Sequence, residues 1–128
     1  MTTVVLDASA ILVALNSEPG SEQLTPAIME AAVSSAVNLA EVQTKLVDYG
    51  MDAAEAWEAA MSSINEAVDF TVSHAEITGN LVSQTRPLGL SLGDRACLAL
   101  GISLKAPVYT ADKSWKSLKL PIKVHVIR

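Results

Sequence analysis

Hydrophobic and polar positions along this chain alternate between two spacings. Short β-branched or apolar runs, Val4-Val5-Leu6 and Pro107-Val108-Tyr109-Thr110, read as buried strands, and Lys123–Ile127 reads as a final one. Ala32-Val33-Ser34 and the alternating Ala67–Val72 are expected to supply two more. Between these runs, apolar residues recur at helical spacing. Ala8–Leu15 follows the first strand directly, and Ser21–Ala32 is expected to be helical, bent or restarted at Pro26. Leu39, Val42, Leu46 and Tyr49 mark one face of a helix that Gly50 stops, and Asp52 caps an alanine-rich helix running to Asn65. Ser73-His74-Ala75-Glu76 has the form of a capping box that opens another helix, ended near Pro87-Leu88-Gly89. Ser91-Leu92-Gly93-Asp94 repeats that form ahead of a segment apolar almost all round and therefore buried. Asp112–Leu118 reads as a short helix or turn. Strands alternating with helices predict an α/β fold, a mostly parallel sheet of about five strands flanked on both faces by helices. No repeat, linker or low-complexity tract divides the chain, so residues 1–128 are expected to form a single domain.

Composition narrows the class. Half of the residues are hydrophobic and 18% are charged, the balance of a folded chain with a real core. Its apolar runs are far shorter than a membrane span, and Thr2-Thr3 begin no basic leader, so a cytoplasmic location with no membrane attachment is expected. The one cysteine, Cys97, lies in the apolar run Ala96–Leu100 and is expected to be a buried, reduced thiol. A net charge of −5 argues against a nucleic-acid binder until its distribution is considered. Residues 1–85 carry twelve acids and one base, Lys45, whereas residues 86–128 carry eight bases and two acids. One part of the surface is therefore suited to phosphates and another to a basic partner, though a solvated basic face with no ligand would look the same.

Four acids stand at places where chemistry collects. Asp7 follows the first strand, Glu41 lies early in the helix after the second, Asp94 lies in the first turn of the buried helix, and Asp112 follows the strand at 108–110. Each has an ordinary explanation. Asp7 and Asp112 can cap helices, Asp94 completes the Ser91 box, and Glu41 can pair with Lys45 at i,i+4. A parallel sheet, however, brings the carboxyl ends of its strands to one edge, which is where ligands bind in such folds. Four carboxylates gathered there would repel one another unless a cation neutralised them, and all-oxygen ligands favour Mg²⁺ or Mn²⁺. Ser9 and Thr110 flank the strand-end acids and either support the water shell of such an ion or cap turns.

These segments resemble a known family. Val-Val-Leu-Asp-Ala-Ser at 4–9, Asn-Leu-Ala-Glu-Val at 38–42, Ser-Leu-Gly-Asp-Arg-Ala-Cys-Leu-Ala at 91–99 and Thr-Ala-Asp-Lys-Ser-Trp at 110–115 are similar to motifs of PIN-domain ribonucleases. Length and element order resemble the VapC toxins of prokaryotic toxin–antitoxin pairs. The resemblance implies a PIN-like three-layer sandwich with Asp7, Glu41, Asp94 and Asp112 as catalytic and metal-binding acids. It also implies a Mg²⁺- or Mn²⁺-dependent endoribonuclease, usually a homodimer, silenced by a cognate antitoxin. Some relatives place a further acid a few positions after the last motif aspartate; here Trp115 and Lys116 follow Asp112, which implies one ion and not a filled pair of sites.

On this reading a metal-activated water hydrolyses an RNA phosphodiester. Asp7 and Asp94 are the most direct ligands, Asp112 a ligand or water-holder, and Glu41 a water-mediated ligand or base. Lys113, Lys116 and Lys119 are candidates to grip the RNA backbone, or a solvated face; Arg95 either holds a phosphate or makes an internal ion pair. The five aromatics form no stacking cluster in sequence, which favours recognition through RNA shape and backbone. Two other classes stay open. A receiver-like phosphoryl-transfer domain would need a second acid two residues past Asp7, where Ser9 stands, or one after its middle strand. A catalytically silent domain that binds RNA or a partner would retain the fold without turnover.

Overall fold

Alternation along the first strand sorts the two faces of the molecule. In the computed structural model, which describes residues 2–128, β1 (Val4–Leu6) turns Val4 and Leu6 into one apolar cluster and Val5 into another. All three are buried, as a central strand with both faces covered requires. The other strands are β2 (Ala32–Ser35), β3 (Glu66–Val68), β4 (Val108–Thr110) and β5 (Val124–Val126). They form one sheet in the order β3-β2-β1-β4-β5, every neighbouring pair parallel. The chain steps outward from β1 to β2 on one side and later returns to place β4 on the other. The crevice at the carboxyl ends of β1 and β4 is therefore a topological switch point. The order also differs from the 2-1-3-4-5 arrangement of receiver-like domains, because here the central strand is β1 itself.

On the Val4/Leu6 face lie α1 (Ala8–Leu15), the short α2 (Pro26–Glu30), α3 (Ala36–Asp48) and α4 (Ala53–Ser62). Their contributions include Ile11, Val13, Leu39, Val42, Leu46, Ala56 and Ala60, all buried. The opposite face is covered by α5 (Val72–Asn80), α6 (Val82–Thr85) and α7 (Leu92–Leu104), with Cys97, Leu98, Leu100 and Trp115 at its centre. Each large apolar side chain so buried contributes about 1.5–3 kcal/mol. Helix α7 lies close against β4 because Gly101 carries no side chain; a Cβ there would stand 2.5 Å from Val108 Cγ2. The result is the expected α/β three-layer sandwich.

Local expectations hold in most places. Thr25 caps α2 with Pro26 in its first turn, so the proline restarts a helix after the 3₁₀ turn Ser21–Gln23. Asp52 caps α4, and Ser91 and Asp94 form the reciprocal capping box of α7. Cys97 is a buried free thiol. The stretch around 66–76 differs from expectation. Strand β3 ends at Val68, and its partner β2 ends at Ser35, opposite it, leaving nothing for Asp69–Val72 to pair with. Val72 opens α5, almost fully exposed, and Thr71 is the cap, accepting from the His74 N–H; Ser73 lies inside the helix. The helix expected to reach 87 is interrupted at Leu81 and finishes in a 3₁₀ turn, Arg86–Leu88, closed by Gly89 at φ 67°. Among the described residues, no helix is long and apolar enough to cross a membrane.

Candidate active site

Two adjacent parallel strands end in the same way. Strand β1 passes into α1 with no intervening loop: Asp7 donates its N–H to Tyr109 O in the sheet, and its carboxylate caps α1. Next to it, β4 ends at Thr110, and Asp112 caps the 3₁₀ turn Lys113–Ser117. Pairing of Leu6 with Tyr109 brings Thr110 beside Asp7, and the Thr110 hydroxyl donates to Asp7 Oδ2 at 2.6 Å. Strand β2 also passes directly into a helix, with Ser35 as the cap of α3, so Glu41 emerges in that helix's second turn. Asp94 arrives from the first turn of α7. Asp7, Glu41, Asp94 and Asp112 line one cavity of about 700 Å³. Ala8, Ser9 and Leu12 of α1, with Val37, Ala40, Thr44 and Lys45 of α3, complete it.

Glu41, Asp94 and Asp112 are each held by one oxygen, whereas Asp7 is held on both and keeps part of its acceptor capacity. Asp7 Oδ1 accepts from Ser9 Oγ at 2.7 Å and Ala10 N at 2.8 Å, while Oδ2 accepts from Thr110 alone. A carboxylate has about four acceptor sites, so one remains. Asp94 Oδ2 accepts from Ser91 N at 2.9 Å. Asp112 Oδ1 accepts from Ser114 N and Oγ at 2.9 and 2.8 Å. Glu41 Oε1 accepts from Asn38 Nδ2 at 2.8 Å. Asp94 Oδ1, Asp112 Oδ2 and Glu41 Oε2 have no hydrogen-bond partner among the described residues. Capping by Asp7, Asp94 and Asp112 therefore leaves acceptor capacity unused.

Electrostatics separate the acids. Asp7 is 3% exposed, and burial pushes its carboxyl up to about 6 from an ordinary 3.8, against the lowering effect of Thr110, Ala10 and Ser9. Half-buried Glu41 is also raised, first by burial, with Asn38 opposing and the charge of Asp94 adding to it. Desolvation, more than mutual repulsion, is thus the main penalty on these two. Among the described residues, no three carboxylate, imidazole or thiol groups converge closely enough to hold an ion by themselves. The all-oxygen donor set with its free lone pairs fits a hard cation.

The supporting residues divide. Ser9 and Thr110 aim their hydroxyl hydrogens at Asp7 and accept from Ala111 N and Asp112 N, so they brace the carboxylates and their backbone. Lys113, Lys116 and Lys119 are exposed beyond Asp112. Arg95 does not line the cavity; its Nη1 donates to Thr78 O at 2.9 Å, and its buried Nε has no partner. It makes neither the expected ion pair nor a contact at the acids: among the described residues the one salt bridge joins Arg128 to Glu18. For the same reason Glu41 and Lys45 are not paired. Trp115, where some relatives were expected to carry an acid, is completely buried in the core. Sequence reading passed over Asn38 and Gly93. A polar residue three positions before Glu41 in an otherwise apolar helix start was the available signal.

Fold and site together define an α/β domain with an acidic, all-oxygen centre at its sheet edge. A profile of the PIN domain matches residues 4–120, and the chain belongs to that family. Comparison with curated proteins gives no match. Among solved structures, the chain is similar to VapBC2 from Rickettsia felis bound to a DNA fragment from its promoter, with 18% identity over 99% of this chain and 100% of that one and a TM-score of 0.75. It is also similar to VapC20 of Mycobacterium tuberculosis, a toxin that cleaves the sarcin–ricin loop, with 17% identity, coverage of 94% and 99%, and a TM-score of 0.75. A toxin–antitoxin complex from Klebsiella pneumoniae gives 17% identity, coverage of 94% and 99%, and a TM-score of 0.70. At such identities the likeness establishes a shared fold.

Proposed function

We propose that this protein is a VapC-type toxin, a single-domain endoribonuclease that hydrolyses RNA phosphodiester bonds with Mg²⁺ or Mn²⁺. The observation that carries the reading is the cavity into which four separate elements each deliver a carboxylate that is held in place yet keeps acceptor capacity. Asp7 Oδ2 and Asp94 Oδ1 would hold the cation most directly, with Asp112 Oδ2 as a ligand or water-holder. Such an ion supplies charge neutralisation at the phosphate and a more acidic water. Glu41, raised by burial, is suited to take a proton from the attacking water at Oε2 or to orient that water. Ser9 and Thr110 keep Asp7 charged and still, which its burial opposes. Lys113, Lys116 and Lys119, exposed in the segment after Asp112, supply phosphate contacts.

The partners follow from the same reading: RNA as substrate, a cognate antitoxin that blocks the cavity, a second copy of the chain, and a cytoplasmic setting. The structural likeness to a toxin–antitoxin complex supports the antitoxin, and the acidic first two-thirds of the chain is the surface suited to it. The test is incubation of the antitoxin-free protein with total RNA, with Mn²⁺ or chelator, beside Asp7→Asn. Discrete fragments that require both metal and Asp7 are expected. Absence of fragments, or their survival after chelation and in the variant, rejects the nuclease and leaves a silent binding domain.

A further inference from the structure

We infer that Asn38 and Gly93 form a two-sided seat for the Glu41 carboxylate, and that Asn38 is a positioning residue for the proposed reaction. The inference rests on the nuclease reading for its kinetic consequence but not for its geometry. Asn38 is 1% exposed and lies one turn before Glu41 on α3. Its Nδ2 donates to Glu41 Oε1 at 2.8 Å and to Gly93 O at 3.1 Å, so both amide hydrogens are used and one side chain ties α3 to the first turn of α7. On the other side Glu41 lies directly over the Gly93 Cα. A Cβ at Gly93 would stand 2.5 Å from both Cδ and Oε1 of Glu41 and closer still to Oε2. A side chain at position 93 would make the Glu41 carboxylate move from its place.

The seat explains an absence. Glu41 and Lys45 are spaced for an i,i+4 ion pair and both line the cavity, yet they make no salt bridge, while Glu41 accepts its hydrogen bond from Asn38. Asn38 therefore holds Glu41 among the other acids and away from a competing cation on its own helix. The cost of this arrangement is visible: Asn38 Oδ1 is buried without a partner among the described residues.

The test uses the purified full chain, with RNA cleavage rates and Mg²⁺-dependent melting measured in parallel. Asn38→Ala is expected to lower kcat by about 10–100-fold with KM little changed, and to raise the Mg²⁺ concentration at half-maximal thermal shift by about the same factor. Adding Lys45→Ala to Asn38→Ala should recover part of the lost rate, since it removes the competing partner. Gly93→Ala, which evicts Glu41 from the other side, should reproduce the kcat loss if Asn38→Ala does not fold. Unchanged kcat and Mg²⁺ dependence in Asn38→Ala, or no recovery in the double variant, overturns the inference. If the wild type cleaves no RNA, the nuclease reading fails, and the Mg²⁺ titrations of wild type and Asn38→Ala alone decide the seat.

Discussion

The carboxylates of the cavity fall into an inner pair and a rim pair, built on opposite terms. Asp7 and Glu41 are inner: burial raises both, and each is held by side chains from within the fold, Ser9 and Thr110 for one, Asn38 for the other. Asp94 and Asp112 are rim residues, held mainly by backbone N–H groups of the turns they cap, a capping box in one case and a 3₁₀ turn in the other. An acid at the rim costs the fold little, because capping is a stabilising role and solvent is near. An acid in the interior opposes folding, and the protein must surround it with donors. The difference teaches that the inner pair carries a desolvation penalty, which the donors around it must offset.

The strongest way to break this comparison is to neutralise one member of each pair. Because the Asp7 carboxyl is raised to about 6, its contribution favours the fold below an ordinary 3.8 and is lost as pH rises through about 6. Asp7→Asn, which keeps a capping side chain, should therefore stabilise the metal-free protein by up to about 3 kcal/mol at pH 7.5, with the advantage vanishing below pH ~4. It should also lower RNA cleavage by at least about 10²–10³-fold. Asp112→Asn, at an exposed cap, should lose activity comparably but change metal-free melting little. Equal melting gains in the two variants would end the distinction.

Cation binding should reverse the inner penalty. Saturation at a hundred times Kd adds about 2.7 kcal/mol to the wild type, and Asp7→Asn should gain clearly less, as differential scanning calorimetry in chelator and in millimolar Mg²⁺ can show. Next in size is Thr110→Val, which removes the donor to Asp7 Oδ2 and the acceptor of Asp112 N–H. A loss of about 1–3 kcal/mol is expected in denaturant melts. The acid limb of the pH–rate profile should move upward, because Asp7 loses the largest influence that lowers its pKa. Ser9→Ala should do the same more weakly. The smallest effects belong to Lys113→Ala and Lys116→Ala: stability within about 0.5 kcal/mol, and a log–log salt slope of single-stranded RNA binding reduced by about 0.7 for each lost phosphate contact.

Much of the fold was legible because its signals are local. The β-branched runs, the caps at Asp52 and Ser91, and the direct passage from Leu6 through Asp7 into α1 follow from residue type and spacing over a few positions. Val72 misled because a β-branched residue suits a strand, and only the end of β2 at Ser35 shows that no partner remains for it. Ser73 was a less suitable cap than Thr71 for a reason equally invisible in sequence, namely where the sheet releases the chain. At the site, the four acids could be picked out because they follow strands or open helices. The contacts of Asn38 with Gly93, Thr110 with Asp7 and Ser9 with Ala111 could not, since each joins elements far apart in the chain.

By itself, then, the sequence determined the alternation of strands and helices, the parallel sheet, and the strand-end and helix-start positions of four acids that come to line one cavity, since these rest on periodicity and short-range hydrogen bonding. Tertiary structure alone decided how each acid is held. It buried Asp7 beside Thr110, seated Glu41 on Asn38 and Gly93 instead of Lys45, turned Arg95 toward Thr78, and left one oxygen of the rim acids free. Desolvation and the direction of a hydrogen bond depend on what packs against a side chain from distant parts of the chain, which residue spacing does not encode.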